Sequence, residues 1–175
     1  MTNSDLRRPE TSEHPVYFTR YISLVEGNDV VAALAAEGSK TLATLRAVSA
    51  QDSLRRYAEG KWSIREVLGH IVDTERIMTY RALRIGRGDE TPLPGFDQDP
   101  YIVAAKFDER EWSGLLEEFE AVRKASLLLF AGFPADAWGR RGKASNNPIT
   151  ARALAYVTAG HEIHHMNIVR ERYLV

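Results

Sequence analysis

Along most of this chain, apolar residues return at intervals of three and four, the spacing that gathers them on one face of an α-helix. Convincing alternation of apolar and polar residues, the mark of a strand, is missing. Val16 to Glu26 predicts a short helix ending at Gly27-Asn28. A longer one follows from about Asp29 to Val48, with Val31, Leu34, Leu42 and Leu45 on one stripe. Gly38 interrupts it, at ~1 kcal/mol relative to alanine. After Gly60-Lys61-Trp62, Ser63 and Glu66 have capping-box spacing, in which serine oxygen and glutamate carboxylate each take the other's backbone N–H. Ile64, Val67, Leu68, Ile71 and Met78 continue at helical spacing to about Ile85, where Gly86 and Gly88 stop the helix.

Between Gly86 and Phe107 the pattern lapses, and Pro92, Pro94, Gly95 and Pro100 predict a long connection. Connections of that length are usually functional or disordered, and Phe96 and Tyr101 argue against disorder. A helix from about Glu109 to Ala131 turns Leu115, Phe119, Val122 and Leu129 inward. Ala135 to Asn147 is a turn-rich link, and a last helix starts at Thr150, a good N-cap, and runs to about Arg172. The fold class predicted is all-α: a four-helix bundle with a long connection between its second and third helices and a short additional N-terminal helix.

Composition adds mostly exclusions. The 175 residues suffice for one domain, 1–175, of which 1–13 reads as a poorly ordered polar start. The formal charge is −1 with scattered Lys and Arg, so no nucleic-acid or anionic-membrane surface is expected. No apolar run approaches the roughly 20 residues of a membrane span, and the start lacks the apolar core of a secretory signal. With no cysteine, a cytoplasmic place is the expectation, and the chain offers no thiolate of its own as nucleophile or ligand.

The candidate chemistry lies in histidines. His161 and His165 are four apart, ~40° around a helix axis, and project together one turn apart. Leu154, Val157 and Ile168 share their stripe, so both imidazoles point into the bundle. Burying such a pair without partners costs ~1–3 kcal/mol for each unsatisfied nitrogen; one divalent ion would satisfy both. His70, in line with Val67, Thr74 and Ile77, can supply a third nitrogen from another helix. His164 diverges more from the pair and reads as a supporting or core residue, while His14 reads as a surface residue. His161-Glu162-xx-His165 also satisfies the H-E-x-x-H metalloprotease pattern, in which the glutamate is the general base. However, Glu171 and Ile168 stand where a metzincin has its third histidine and a glycine, so a protease is not expected. Glu162 and Asp73 are the carboxylates that could orient a ligand or move a proton, and each could equally be an ordinary polar residue.

Together these residues resemble the DinB-like superfamily, also called the DinB/YfiT group. The resemblance rests on Gly60-Lys61-Trp62-Ser63 through Glu66-Val67-Leu68 to His70, on Asp73-Thr74-Glu75-Arg76, and on Gly95-Phe96-Asp97. It continues from Ala153-Leu154-Ala155-Tyr156 through Gly160-His161 to His165 and Arg170-Glu171-Arg172-Tyr173-Leu174. It covers about Asn28 to the end. The resemblance implies a four-helix bundle, a metal site on His70, His161 and His165, and a homodimer. It also implies thiol S-transferase or thiol-dependent isomerase activity, with a low-molecular-weight thiol and an electrophilic second substrate as partners. Zinc or nickel is the expected divalent metal ion, and manganese or iron also accept imidazole. The Gly86–Phe107 connection, with Phe96 and Tyr101, is the expected wall for the second substrate. Three rivals stand beside this reading: a hydrolase using metal-activated water, a non-enzymatic metal- or ligand-binding stress-response bundle, and purely structural histidines.

Overall fold

The computed structural model describes residues 6–175. Its helices are α1 (Thr19–Ile22), α2 (Val30–Arg46), α3 (Ile64–Gly86), α4 (Gln98–Ala105), α5 (Trp112–Ala131) and α6 (Ala151–Ile168). The expected capping box opens α3: Ser63 Oγ accepts the Glu66 N–H at 3.1 Å and Glu66 Oε2 accepts the Ser63 N–H at 2.7 Å. Thr150 caps α6 through the Ala153 N–H. After Ile168 the chain continues as a wider π turn, Val169–Tyr173.

Four helices form the bundle. α2 packs on α5, α5 on α3, α3 on α6 and α6 on α2, which closes the ring. Helices consecutive along the bundle, α2 with α3 and α5 with α6, therefore lie across its diagonals. Those connections have to cross an end of the bundle, which accounts for their length. It also makes α3 and α6 neighbours, so a residue of one can meet a residue of the other.

The interior divides into two apolar clusters. One gathers Leu34, Met78, Ile85, Phe130, Trp138 and Leu154; the other Leu45, Leu68, Ile71, Phe119, Met166 and Val169. On every bundle helix the inward residues between these sets are polar or small: Gly38 and Thr41, His70 with Thr74 and Glu75, Arg123, and His161 with Glu162. A buried polar layer thus crosses the middle of the bundle. Gly38, which looked like an interruption in α2, has a packing reason here. A Cβ at that position would sit 2.7 Å from Nη1 of Arg123.

Three predictions of local structure need correction. The link before α6 contains a hairpin, β1 (Arg141–Ala144) with β2 (Asn147–Thr150), in antiparallel register from Arg141 opposite Thr150 to Ala144 opposite Asn147. Its turn residues, Ser145 and Asn146, have φ of 49° and 63°, the left-handed pair of a tight hairpin turn. The long connection contains α4, capped by Asp97, with Pro100 in the first turn where no helical N–H is needed. The N-terminal helix is shorter than expected: a 3₁₀ turn, Val16–Phe18, runs into α1.

Of the polar start, residues 1–5 lie outside the described residues, and residues 6–13 are tied down. Leu6 and Glu13 are buried, the Tyr156 hydroxyl donates to the Leu6 carbonyl at 2.9 Å, and Glu13 receives Thr150 Oγ1 at 2.9 Å and Arg152 Nη1 at 3.0 Å. His14, expected on the surface, is buried, with Nδ1 2.9 Å from the Pro15 carbonyl. Among the described residues no helix is long and apolar enough to cross a membrane.

Candidate metal centre

The polar layer brings His70, His161 and His165 together. His161 and His165 stand one turn apart on α6, and His70 faces them from α3. Nε2 of His161 lies 3.0 Å from Nε2 of His70 and 3.1 Å from Nε2 of His165. Rings wedge them in place: Trp62 packs on His70 at 5.0 Å and Tyr21 on His161 at 5.4 Å. Tyr21 can come this close because residue 160 is glycine; a Cβ there would lie 2.0 Å from the Tyr21 carbonyl oxygen.

Burial keeps all three imidazoles neutral. It pushes His70 down to about 4, His165 to about 3 and His161 well below the ordinary value, the neighbouring histidines adding to the effect on the latter two. Neutral imidazole is the ligand form. As a hydrogen-bonded cluster the trio is awkward, because the single Nε2 of His161 faces two other Nε2 atoms and has one lone pair or one proton to offer. As a ligand set it is coherent: all three nitrogens lie within 4.8 Å of one another. Two nitrogens that each sit ~2.0–2.1 Å from one ion are roughly 3 Å apart. The residues present fit a divalent metal ion.

The other candidates lie elsewhere. Glu162, the glutamate of the H-E-x-x-H string, is buried and paired with Arg123, Oε2 to Nη2 at 2.7 Å. Arg123 also clasps Glu75 with two hydrogen bonds, at 3.0 and 2.7 Å, and donates to the Leu34 carbonyl. Burial raises the Glu162 pKa even with the guanidinium beside it. Burial works against the Arg123 charge as well, and the two carboxylates outweigh it. Glu162 is thus a member of a buried ion triad. Asp73 faces Arg76 at 3.8 Å and, like Glu162, is not among the residues lining the cavity beside the histidines. His164 is outside the trio, its ring 5.4 Å from Tyr21 and 5.1 Å from His165.

Beside His70 and His161 opens a cavity of ≈ 500 Å³, within the usual range for a small-molecule site. The bundle supplies its floor through His70, Thr74, Arg81, Leu154 and Val157. Its roof is Tyr17, Phe18 and Tyr21, and its far wall joins Phe96 and Asp97 to Ala144 and Ser145 of the hairpin. The long connection is tied to the hairpin through Leu93, whose N–H donates to the Lys143 carbonyl at 2.8 Å and whose carbonyl accepts the Ser145 N–H at 3.0 Å. Of Phe96 and Tyr101 in the long connection, the cavity is lined by Phe96. Tyr101 stands behind it, ring to ring at 5.7 Å, and does not line this cavity. Sequence reasoning missed the hairpin, the N-terminal roof and Arg81. The signal for Arg81 was present, since eleven residues after His70 is three turns and nearly the same face of α3.

Fold and cluster define a class: a four-helix bundle carrying an internal three-histidine group able to hold a metal ion. The model of the DinB superfamily matches residues 33–169, and the chain belongs to that superfamily. A relative in Oceanobacillus iheyensis, named "Putative metal-dependent hydrolase OB0413", is 33% identical over 61 residues. That match covers 34% of this chain, and the chain spans about a third (35%) of that relative's length. Among solved structures, YfiT from Bacillus subtilis superimposes with a TM-score of 0.67 at 18% identity, covering 93% of this chain and 91% of the other. It is described as "a probable metal-dependent hydrolase with an unusual four-helix bundle topology". At that identity the likeness speaks for the fold.

Proposed function

We propose that the protein is a metal-dependent enzyme that joins a small thiol to an electrophilic carbon, with His70, His161 and His165 as the metal ligands. The observation carrying this reading is that three neutral imidazoles converge while the carboxylate next to them in sequence is turned away to Arg123. A divalent ion bound there would lower the pKa of a thiol or a water molecule and hold it at the head of the cavity. Attack by water profits from a base that moves its proton to the leaving group; neither Glu162 nor Asp73 lines the cavity, and the two carboxylates that do, Asp97 and Asp99, stand on its exposed rim. A thiolate needs no such base. Its proton passes to solvent water when the thiolate forms; the sulfur then forms the C–S bond and the leaving group departs with the electron pair of the broken bond.

The chain's own part is to bind and orient. It has no cysteine, so the thiol comes from a cosubstrate, and the cavity walled by Phe96 and the hairpin receives the electrophile. Trp62 and Tyr21 hold the imidazoles in register and limit water around them. A second reading, hydrolysis by metal-activated water, is favoured by the names of the two relatives. The test is metal analysis followed by turnover. One equivalent of metal per chain is expected, lost in His70→Ala and His161→Ala. The loaded protein should couple 2-mercaptoethanol to 1-chloro-2,4-dinitrobenzene and hydrolyse nitrophenyl esters poorly. Ester hydrolysis without thiol coupling would select the second reading, and full coupling by metal-free His161→Ala would end the first.

A further inference from the structure

The floor of the cavity carries two polar groups that the reaction above does not use. Arg81 is buried at 4% exposure, and among the described residues no carboxylate lies within ion-pair distance of it. Its Nη2 donates to the Pro94 carbonyl at 2.7 Å and to Ser145 Oγ at 3.1 Å, Nη1 meets the thioether sulfur of Met78 at 3.7 Å, and the guanidinium carbon lies 5.6 Å from the centre of the Phe96 ring. Two neutral acceptors could be served by a neutral side chain. Burying a full charge for them costs free energy that a counter-ion would offset.

Thr74, between His70 and Arg81 on the same face of α3, is 2% exposed, and its hydroxyl has no hydrogen-bond partner. Three other helical threonines satisfy theirs on the carbonyl four residues back: Thr44 on Lys40, Thr79 on Glu75, Thr158 on Leu154. Thr74 does not do so toward His70, and it lines the cavity. A buried, unpartnered hydroxyl and a buried guanidinium without a counter-ion, which has only the Phe96 ring face 5.6 Å from its carbon, thus stand in one row leading away from the histidines.

We propose that this row is a recognition track for a substrate carboxylate, with Arg81 binding the anion and Thr74 hydrogen-bonding the chain that leads to it. The planar guanidinium fork suits a carboxylate. The exposed rim of the cavity bears Asp97 and Asp99, so a group with one negative charge enters more readily than a doubly charged phosphate. His70 and Arg81 are eleven residues apart, a rise of ~16 Å along α3. Arg81 bends back toward Met78, which leaves on the order of 10 Å between the histidines and the bound anion. The substrate is therefore elongated, with its reacting atom at one end and its carboxylate at the other.

This inference rests on the histidine site as the reacting end, and its test separates the two. Zinc-loaded protein is titrated by calorimetry with straight-chain ω-mercaptocarboxylates of increasing length, with matched ω-mercaptoalcohols, and with carboxylic acids lacking the thiol. The carboxylate should bind roughly tenfold or more tightly than the matched alcohol once the chain spans the row. Arg81→Gln should abolish that preference without changing affinity for the alcohol or metal content. Thr74→Val should weaken carboxylate binding several-fold and leave the melting temperature unchanged or higher, because a hydroxyl without a partner is removed. Equal binding of carboxylate and alcohol, a preference that survives Arg81→Gln, or no carboxylate binding at all would overturn the track. Thiol-free acids that bind through Arg81, with no gain from the thiol, would support the track and overturn the thiol reading of the metal site.

Discussion

The ion triad around Arg123 allows a sharp separation between a structural and a catalytic Glu162. Arg123 carries one positive charge against the two carboxylates of Glu75 and Glu162, all three nearly inaccessible to solvent. Glu162→Gln removes the surplus negative charge and leaves the two-bond Arg123–Glu75 pair intact. The expected loss is ~1–2 kcal/mol, below the ~1.5–3 kcal/mol of a hydrogen bond to a charged group because the glutamine oxygen can still accept from Arg123. Arg123→Met leaves two buried carboxylates facing each other without a cation, and removing one partner of a buried pair costs ~3–5 kcal/mol. For a chain of this length each kcal/mol moves Tm by ~2–4 °C. Glu162→Gln should thus lower Tm by ~2–8 °C and Arg123→Met by ~6–20 °C, read by calorimetry with metal content measured alongside. The decisive companion is thiol coupling by folded, metal-loaded Glu162→Gln, expected within roughly threefold of wild type. A drop of about a hundredfold or more with metal and fold retained would make Glu162 the base and refute the assignment to the triad.

Two further outcomes follow from the packing and the protonation of the site. Gly160→Ala drives a methyl into the Tyr21 carbonyl, which should cost ~1–3 kcal/mol of overpacking and lower Tm by ~2–12 °C; Gly114→Ala, where nothing lies within 4 Å, should leave Tm unchanged or raise it. Melting of the metal-free protein should depend on pH between about 7.5 and 5, because unfolded histidines take up protons near pH 6.5 while His70 and His165 in the fold do so only at about 4 and about 3. The unfolded state then binds more protons, so stability falls as the pH falls, by roughly 1 kcal/mol per group and pH unit. Asp73 and Glu162, pushed up by burial, act with the opposite sign. A variant with His70, His161 and His165 replaced by glutamine should therefore lose the histidine-driven fall, and an unchanged slope would contradict neutral burial of the three.

The bundle and the histidine trio were legible because each is written in a helical period. Ser63 with Glu66 announced the start of α3, and the four-residue spacing of His161 and His165 on an apolar stripe announced their common direction. The short elements were hidden for local reasons. Pro100 reads as a helix breaker, yet in the first turn of α4 it gives up no hydrogen bond. Arg141 to Ala144 shows no apolar alternation, and its turn is marked only by Ser145-Asn146 in the left-handed region. The triad was invisible because the three helices that supply Glu75, Arg123 and Glu162 meet only in three dimensions. A motif search therefore offered Glu162 the role of a base, whereas packing pairs it with Arg123.

The cavity has two kinds of wall with different freedom to change. Its histidines and its row from His70 to Arg81 belong to the inward faces of two helices of the bundle. Its roof and far wall come from α1, the α4 connection and the hairpin, pieces hung outside the four-helix ring. Substitutions in those pieces can reshape what the cavity admits while the metal platform stays as it is. Descendants of such a chain could part company in substrate long before they part company in chemistry, and their differences would be sought first in the hung pieces.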